Sequence, residues 1–209
     1  REFEHRQHQR QRPGAGRNGD GQLGDGTLVN RSTPVPVVGL ASGVRAIATG
    51  GNHSCALTSA GGVVCWGRNE FGQLGDNSVI NRPTPVAVTG LAAGIVSVTT
   101  AANHSCALTT VGGVKCWGRN STGQLGDNST TQRPAPVDVV GLANGIAEVV
   151  AGDHHSCARG IGGGVKCWGW NVFGQLGDGS NSDRPAPVDV SGLASGTTAL
   201  GAGTFHSCA

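Results

Sequence analysis

The sequence has no tyrosine and no methionine, and its 209 residues include only four tryptophans and four phenylalanines. Charged residues make up 13%. No apolar run approaches the roughly 18 residues that a membrane span needs, so membrane insertion is not expected. No G-x-S-x-G elbow, no G-K-[ST] phosphate loop and no H-E-x-x-H helix occurs, so the common hydrolase, nucleotide-binding and zinc-peptidase signatures are missing. The net charge of +2 comes from residues 1–13, which hold four Arg and two Glu and leave 11 basic and 11 acidic residues in the rest. A body balanced in this way has no electrostatic grip on nucleic acid. The Arg/Gln/His-rich residues 1–13 show no apolar period and read as a flexible tail or an expression remnant. The chain begins with Arg rather than Met and has no apolar leader, so any address label is expected outside these residues.

Glycine, by contrast, is abundant, with 37 residues and no Gly-X-Y period, which excludes collagen. The abundance follows from repetition. His53, His104, His155 and His206 are 51 apart, as are Cys55, Cys106, Cys157 and Cys208, and Trp66, Trp117 and Trp168. Gln22, Gln73, Gln124 and Gln175 keep the same step, with no insertion or deletion in any copy. The units can be phased as 16–66, 67–117, 118–168 and 169–209, the last one short.

Each unit reads as short strands between glycine turns. Residues 44–50 and 146–152 are β-branched and bounded by Gly, and 53–58 (HSCALT) and 63–67 (VVCWG) form a hairpin across a short Gly-containing loop. With the loop centred on Ala60, Leu57 faces Val63 and Cys55 faces Cys65. On the other side of the sheet the small Ser54 and Ala56 make room for Trp66. The P-x-P pairs Pro83/Pro85, Pro134/Pro136 and Pro185/Pro187 remove ladder donors and mark a strand at a sheet edge. In the loops between, Asp25, Asp76, Asp127 and Asp178 are each expected to pair with the arginine six residues later, which fixes loop shape.

The seven cysteines admit three readings: disulfides, reduced packing residues and metal ligands. Opposed strand positions lie within the distance a disulfide accepts, so Cys55–Cys65, Cys106–Cys116 and Cys157–Cys167 are the expected bridges, with Cys208 unpaired. The metal reading uses His53, Cys55 and Cys65, a spacing unlike known zinc sites, with His53 instead ordering a turn. Bridges would place the protein outside the reducing cytosol, in a secreted, periplasmic or surface setting. His154, His155 and Ser156 invite a catalytic reading, but His-Ser recurs in every copy, which marks a structural position. No cofactor is expected.

The phrase GxxHSxALTxxGxVxxWGxNxxGQLGD resembles the regulator of chromosome condensation repeat family, in a Cys-containing form, over residues 16–209. The resemblance implies an all-β fold, a β-propeller usually of seven blades that serves as a rigid platform for protein contacts. Seven blades at this period need about 357 residues, so this chain reads as a partial propeller of about four blades. Gly14 and Ala15 occupy the places of Cys65 and Trp66, and the chain stops inside an HSCALT segment, so both ends cut through a blade. A fragment is expected, with a four-bladed ring or a self-completing oligomer as alternatives, and open strand edges invite self-association.

What the resemblance implies for function is a non-catalytic scaffold for an unidentified protein partner. The residues that differ between copies at the loop tips are the candidate contacts: Glu70 and Phe71, Ser121 and Thr122, Val172 and Phe173. Other family roles are nucleotide exchange on a small GTPase at chromatin, inhibition of β-lactamases by a secreted propeller, and ultraviolet sensing in plants. The exchange role depends on a wedge-like insertion that these repeats lack. The photoreceptor places Trp just ahead of its His-Thr strand, where this chain has GGNHS, AANHS and GDHHS.

Overall fold

A computed structural model describes residues 14–209; the expectation of a flexible tail at 1–13 lies outside the described residues. Among the described residues there are sixteen strands and no helix. Three four-stranded antiparallel sheets follow one another along the chain. The first holds β3 (Val44–Thr49), β4 (His53–Thr58), β5 (Val63–Gly67) and β6 (Arg82–Ala87). The second holds β7 (Ile95–Thr100), β8 (His104–Thr109), β9 (Val114–Gly118) and β10 (Arg133–Asp138), and the third β11 (Ile146–Ala151), β12 (His155–Gly160), β13 (Val165–Gly169) and β14 (Arg184–Asp189). A two-stranded half-sheet stands at each end: β1 (Gly14–Gly16) with β2 (Arg31–Val35), and β15 (Gly201–Ala202) with β16 (Ser207–Cys208). This is a propeller arc of three whole blades and two halves.

The central hairpin has the expected register, with Cys55 opposite Cys65, Leu57 opposite Val63 and Ser54 opposite Trp66. The proline strands β6, β10 and β14 are edge strands, each with an irregular register against its neighbour. Their proline carbonyls are not idle: Pro83, Pro134 and Pro185 accept hydrogen bonds from Gly26, Asn77 and Asn128 of the loop preceding in sequence, at 2.9–3.0 Å. Each repeat counted from Gly16 therefore gives its proline strand to one sheet and its next three strands to the following sheet, which ties neighbouring blades covalently.

The core lies between blades. Trp117 of the second sheet packs with Leu74, Val88, Leu91, Leu57 and the Cys55–Cys65 pair of the first. Trp168 repeats this against Leu125, Val139 and Leu142. Sheets stacked face to face bury both sides of their central strands, which is why β4 and β8 run almost wholly buried instead of alternating. Small residues are needed there, and Ser, Cys and Ala supply them.

Candidate partner-binding loop face

In an antiparallel sheet the β5–β6 loop and the β3–β4 turn emerge at one end, and the β4–β5 hairpin at the other. The loops at 68–81, 119–132 and 170–183 therefore line one end of the arc. Each is built around a buried asparagine. The Asn69 amide donates to Asp76 Oδ1 (3.0 Å), to the Ser78 carbonyl (3.1 Å) and to the Ile80 carbonyl (3.1 Å). Its Oδ1 accepts the Leu74 N–H at 2.9 Å. Asn120 and Asn171 do the same in their loops, and Asn18 in the first.

The expected Asp–Arg pairs are present at 2.7–3.0 Å, with the four Asp side chains 5–7% exposed and the arginines 35–40%. Burial alone would raise the carboxyl pKa. Hydrogen bonds from the Thr27 side chain and backbone, Arg31 and Asn18 outweigh it and hold Asp25 down to about 2. Burial is likewise outweighed at Asp178, also held to about 2, by Arg184, Ser180 and Asn171. Asp76 and Asp127 are lowered in the same way. The loops are thus rigid polar frames.

The tips differ from blade to blade. Glu70 is exposed and pairs with Arg68. Phe71 lies under the guanidinium of Arg119 from the next loop, 5.3 Å from the ring centroid. Ser121 is exposed and accepts from Arg119 Nε at 3.0 Å. Thr122 turns inward, and its hydroxyl reaches Gln124 Oε1 (2.9 Å) and the His154 carbonyl (3.3 Å). Val172 and Phe173 are 51% and 64% exposed. Phe173 belongs to an edge-to-face aromatic cluster: it lies 5.3 Å from Trp170 and 5.6 Å from Phe205, and Trp170 is 5.7 Å from His154. The structure thus joins Phe71 to Arg119 and Phe173 to Trp170, His154 and Phe205. Three of these partners, Arg119, Trp170 and Phe205, were not singled out from the sequence, and His154 was singled out only for a catalytic reading. The signal was there: Trp170 stands where Arg68 and Arg119 stand in the other copies, and Phe205 where Asn52, Asn103 and His154 stand.

The paired cysteines lie elsewhere, inside the blades. Their sulfur atoms are at bonding distance (2.09, 2.11 and 2.08 Å) with Cα atoms 4.0–4.1 Å apart. Cys208 is unpaired and exposed. His53 begins β4, where its carbonyl accepts the Gly50 N–H at 2.9 Å across the β3–β4 turn, and its ring reaches the next blade, with Nε2 at 2.8 Å from Ser105 Oγ. His104 meets Ser156 at 2.9 Å and His155 meets Ser207 at 2.8 Å. The Ser105 hydroxyl donates to the Gln73 carbonyl, which also accepts Trp117 Nε1–H at 2.9 Å. Because serine's single proton goes to that carbonyl, His53 must donate from Nε2. These histidines and serines are consumed in holding blades together.

Two models of the regulator of chromosome condensation (RCC1) repeat match the chain, one at residues 14–57, 60–108, 112–159 and 163–209, the other at 44–73, 95–124 and 146–175. The chain is similar to a probable human E3 ubiquitin-protein ligase, HERC4, at 38% identity over 85% of the chain and 17% of the ligase. It is also similar to the ultraviolet-B receptor UVR8 of Arabidopsis thaliana, at 31% identity over 84% of the chain and 40% of the receptor. Among solved structures it resembles Prp20p of Saccharomyces cerevisiae with a TM-score of 0.71 and 25% identity, covering 91% of the chain and 49% of Prp20p. The chain therefore spans well under two thirds of the relatives it matches. On the repeat match across its whole described length, the chain belongs to the regulator of chromosome condensation repeat family.

Proposed function

We propose that this chain acts as a non-catalytic interaction module, working outside the reducing cytosol, that presents its loop face to a protein partner. One observation carries the reading: the loop frames are the same in every blade while the tips above them change. They run from the charged Arg68–Glu70 pair, through Phe71 with Arg119, to the cluster of half-buried Trp170 with exposed Phe173 and Phe205. Invariant frames with changing aromatic and arginine tips are what a specific contact surface needs. The even charge of residues 14–209 favours protein over nucleic acid. Prp20p, whose binding to Gsp1p and histones has been characterised, is a precedent for protein partners. The non-catalytic reading draws on the repeated His–Ser pairs, which are buried and already bonded to each other. The extracytoplasmic reading draws on the three cysteine pairs.

The test is site-specific photo-crosslinking in the native host. A crosslinker at Phe71 or Phe173 should capture one protein that is not captured from Ile161, 80% exposed on the hairpin at the opposite end. Equal capture from both ends would overturn the loop-face assignment. Free thiols at Cys55 and Cys65 in protein taken directly from the host would overturn the localisation.

A further inference from the structure

Three of the four loop frames are preceded by an arginine, Arg17, Arg68 and Arg119, and the fourth by Trp170. The first two arginines are matched by carboxylates of the loop face itself. Arg17 lies 3.8 Å from Asp20. Arg68 pairs with Glu70 of its own loop, and Asp20 of the preceding loop adds its charge. Arg119 has neither. Ser121 stands at the place of Glu70 and Phe71 at the place of Asp20, and among the described residues Arg119 makes no ion pair. The loops on both sides of it, 68–81 and 170–183, are complete, so the missing carboxylate does not come from an end of the chain.

The unmatched guanidinium is nevertheless held in place. It lies over the Phe71 ring, 5.3 Å from the centroid, and its Nε donates to Ser121 Oγ at 3.0 Å. Arginine stays charged at any physiological pH, and a planar guanidinium already fixed by stacking loses little freedom when it takes a carboxylate. Its surroundings do not dilute that charge with a second cation. His154 is kept below its ordinary value by burial and by Arg119 itself, against the pull of Asp153, so its ring is neutral at pH 7. Asp153 makes no ion pair with Arg119. Next to His154 stands the half-buried indole of Trp170, edge-on at 5.7 Å, an apolar surface beside the charge.

We propose that Arg119 anchors an aspartate or glutamate side chain of a partner protein, with the apolar residue that follows it in the partner lying on Trp170. The partner's carboxylate takes the place that Glu70 holds against Arg68 in the preceding loop. This rests on the loop-face reading and names the chemistry which that face recognises.

The probes are two peptides offered to the intact chain, acetyl-Gly-Glu-Phe-Gly-amide and the same peptide with glutamine in place of glutamate. Binding is followed on the arginine Nε–H signals by heteronuclear NMR. The Arg119 signal should move saturably with the glutamate peptide and about tenfold more weakly with the glutamine peptide. The Arg68 signal, already paired, should stay in place, and added salt should weaken the response. Ser121→Glu supplies the carboxylate from within the loop, whereas Ser121→Gln matches its size without its charge. Ser121 is exposed, so both variants are expected to fold. The glutamate peptide should lose about tenfold more affinity in Ser121→Glu than in Ser121→Gln. An unmoved Arg119 signal, equal responses to the two peptides, or equal losses in the two variants overturns the proposal. Photo-crosslinking from Phe173 in the host separates this failure from that of the loop face. Capture that survives Ser121→Glu keeps the loop face and removes the carboxylate anchor; no capture from the unaltered chain removes both.

Discussion

At the scale of single residues, the chain is held by buried polar groups repeated with the period. His53, Ser105 and the Gln73 carbonyl form a relay across one blade boundary, and His104, Ser156 and Gln124 across the next. Removing one member strands the others where water cannot reach them, at a cost of about 1–3 kcal/mol. Ser105→Ala and Ser156→Ala should each lower the urea unfolding free energy by about that amount, whereas Ser59→Ala, on an exposed turn, should leave it unchanged. Burial also holds the three imidazoles neutral, lowering His53 and His155 to about 4 and His104 to about 3; the neighbouring His155, His53 and His154 add repulsion at His104. The unfolded chain takes these protons near the ordinary value of about 6.5 and the folded chain does not. Stability is therefore full above pH 6.5 and is withdrawn as pH falls from there to about 4, by several kcal/mol in all. The carboxylates lowered to about 2, Asp25 and Asp178, extend the loss from about pH 4 downward. Urea midpoints should be level between pH 7 and 8 and fall steeply from 6.5 to 4; a level profile through that range contradicts the neutral relay. The His-Ser spacing was plain in the sequence, but its partner was not. A residue that recurs every 51 positions looks the same whether it bonds within its own repeat or across to the next, and only the facing of two sheets decides.

At the scale of strands, the hairpin register was legible because its side chains constrain each other on both faces. Setting Leu57 against Val63 leaves Cys55 against Cys65 and Trp66 beside Ser54, and no one-residue slip satisfies all three. The proline strands were legible as edges because proline cannot donate. The asparagine of the loop frames was not assigned a role, since a Gly-punctuated loop has no period to show that one side chain serves five partners. The bridges sit at the least accessible positions of the blades, 0–1% exposed. In native protein a thiol reagent should therefore modify one cysteine per chain, Cys208, and the other six only after unfolding with reductant. Closing each hairpin contributes about 2.8 kcal/mol in the chain-entropy model, so replacing Cys106 and Cys116 together by alanine should lower stability by about that much. Six further thiols reacting on unfolding without reductant would show that the pairs are packed but not joined.

For the molecule as a whole, what holds the arc together is the seam between one blade and the next. At three seams an indole lies on a glycine of the preceding blade, and a Cβ at Gly24, Gly75 or Gly126 would stand 2.7–2.8 Å from the indole nitrogen. The sequence showed the glycine and the tryptophan at their common period but not that they meet, because Gly75 and Trp117 belong to successive repeats and converge only when the sheets stack. Gly75 and Gly90 have nearly the same backbone, with φ of 71° and 73°, but nothing lies within 4 Å of a Cβ at Gly90. Alanine at Gly90 therefore adds only backbone strain of about 1–2 kcal/mol, whereas at Gly75 it must also push Trp117 off its seat, at a further cost of about 1–3 kcal/mol. Urea unfolding should thus rank Gly75→Ala below Gly90→Ala by that further amount, and equal losses at the two positions would mean that the indole seams do not carry the stacking of the blades.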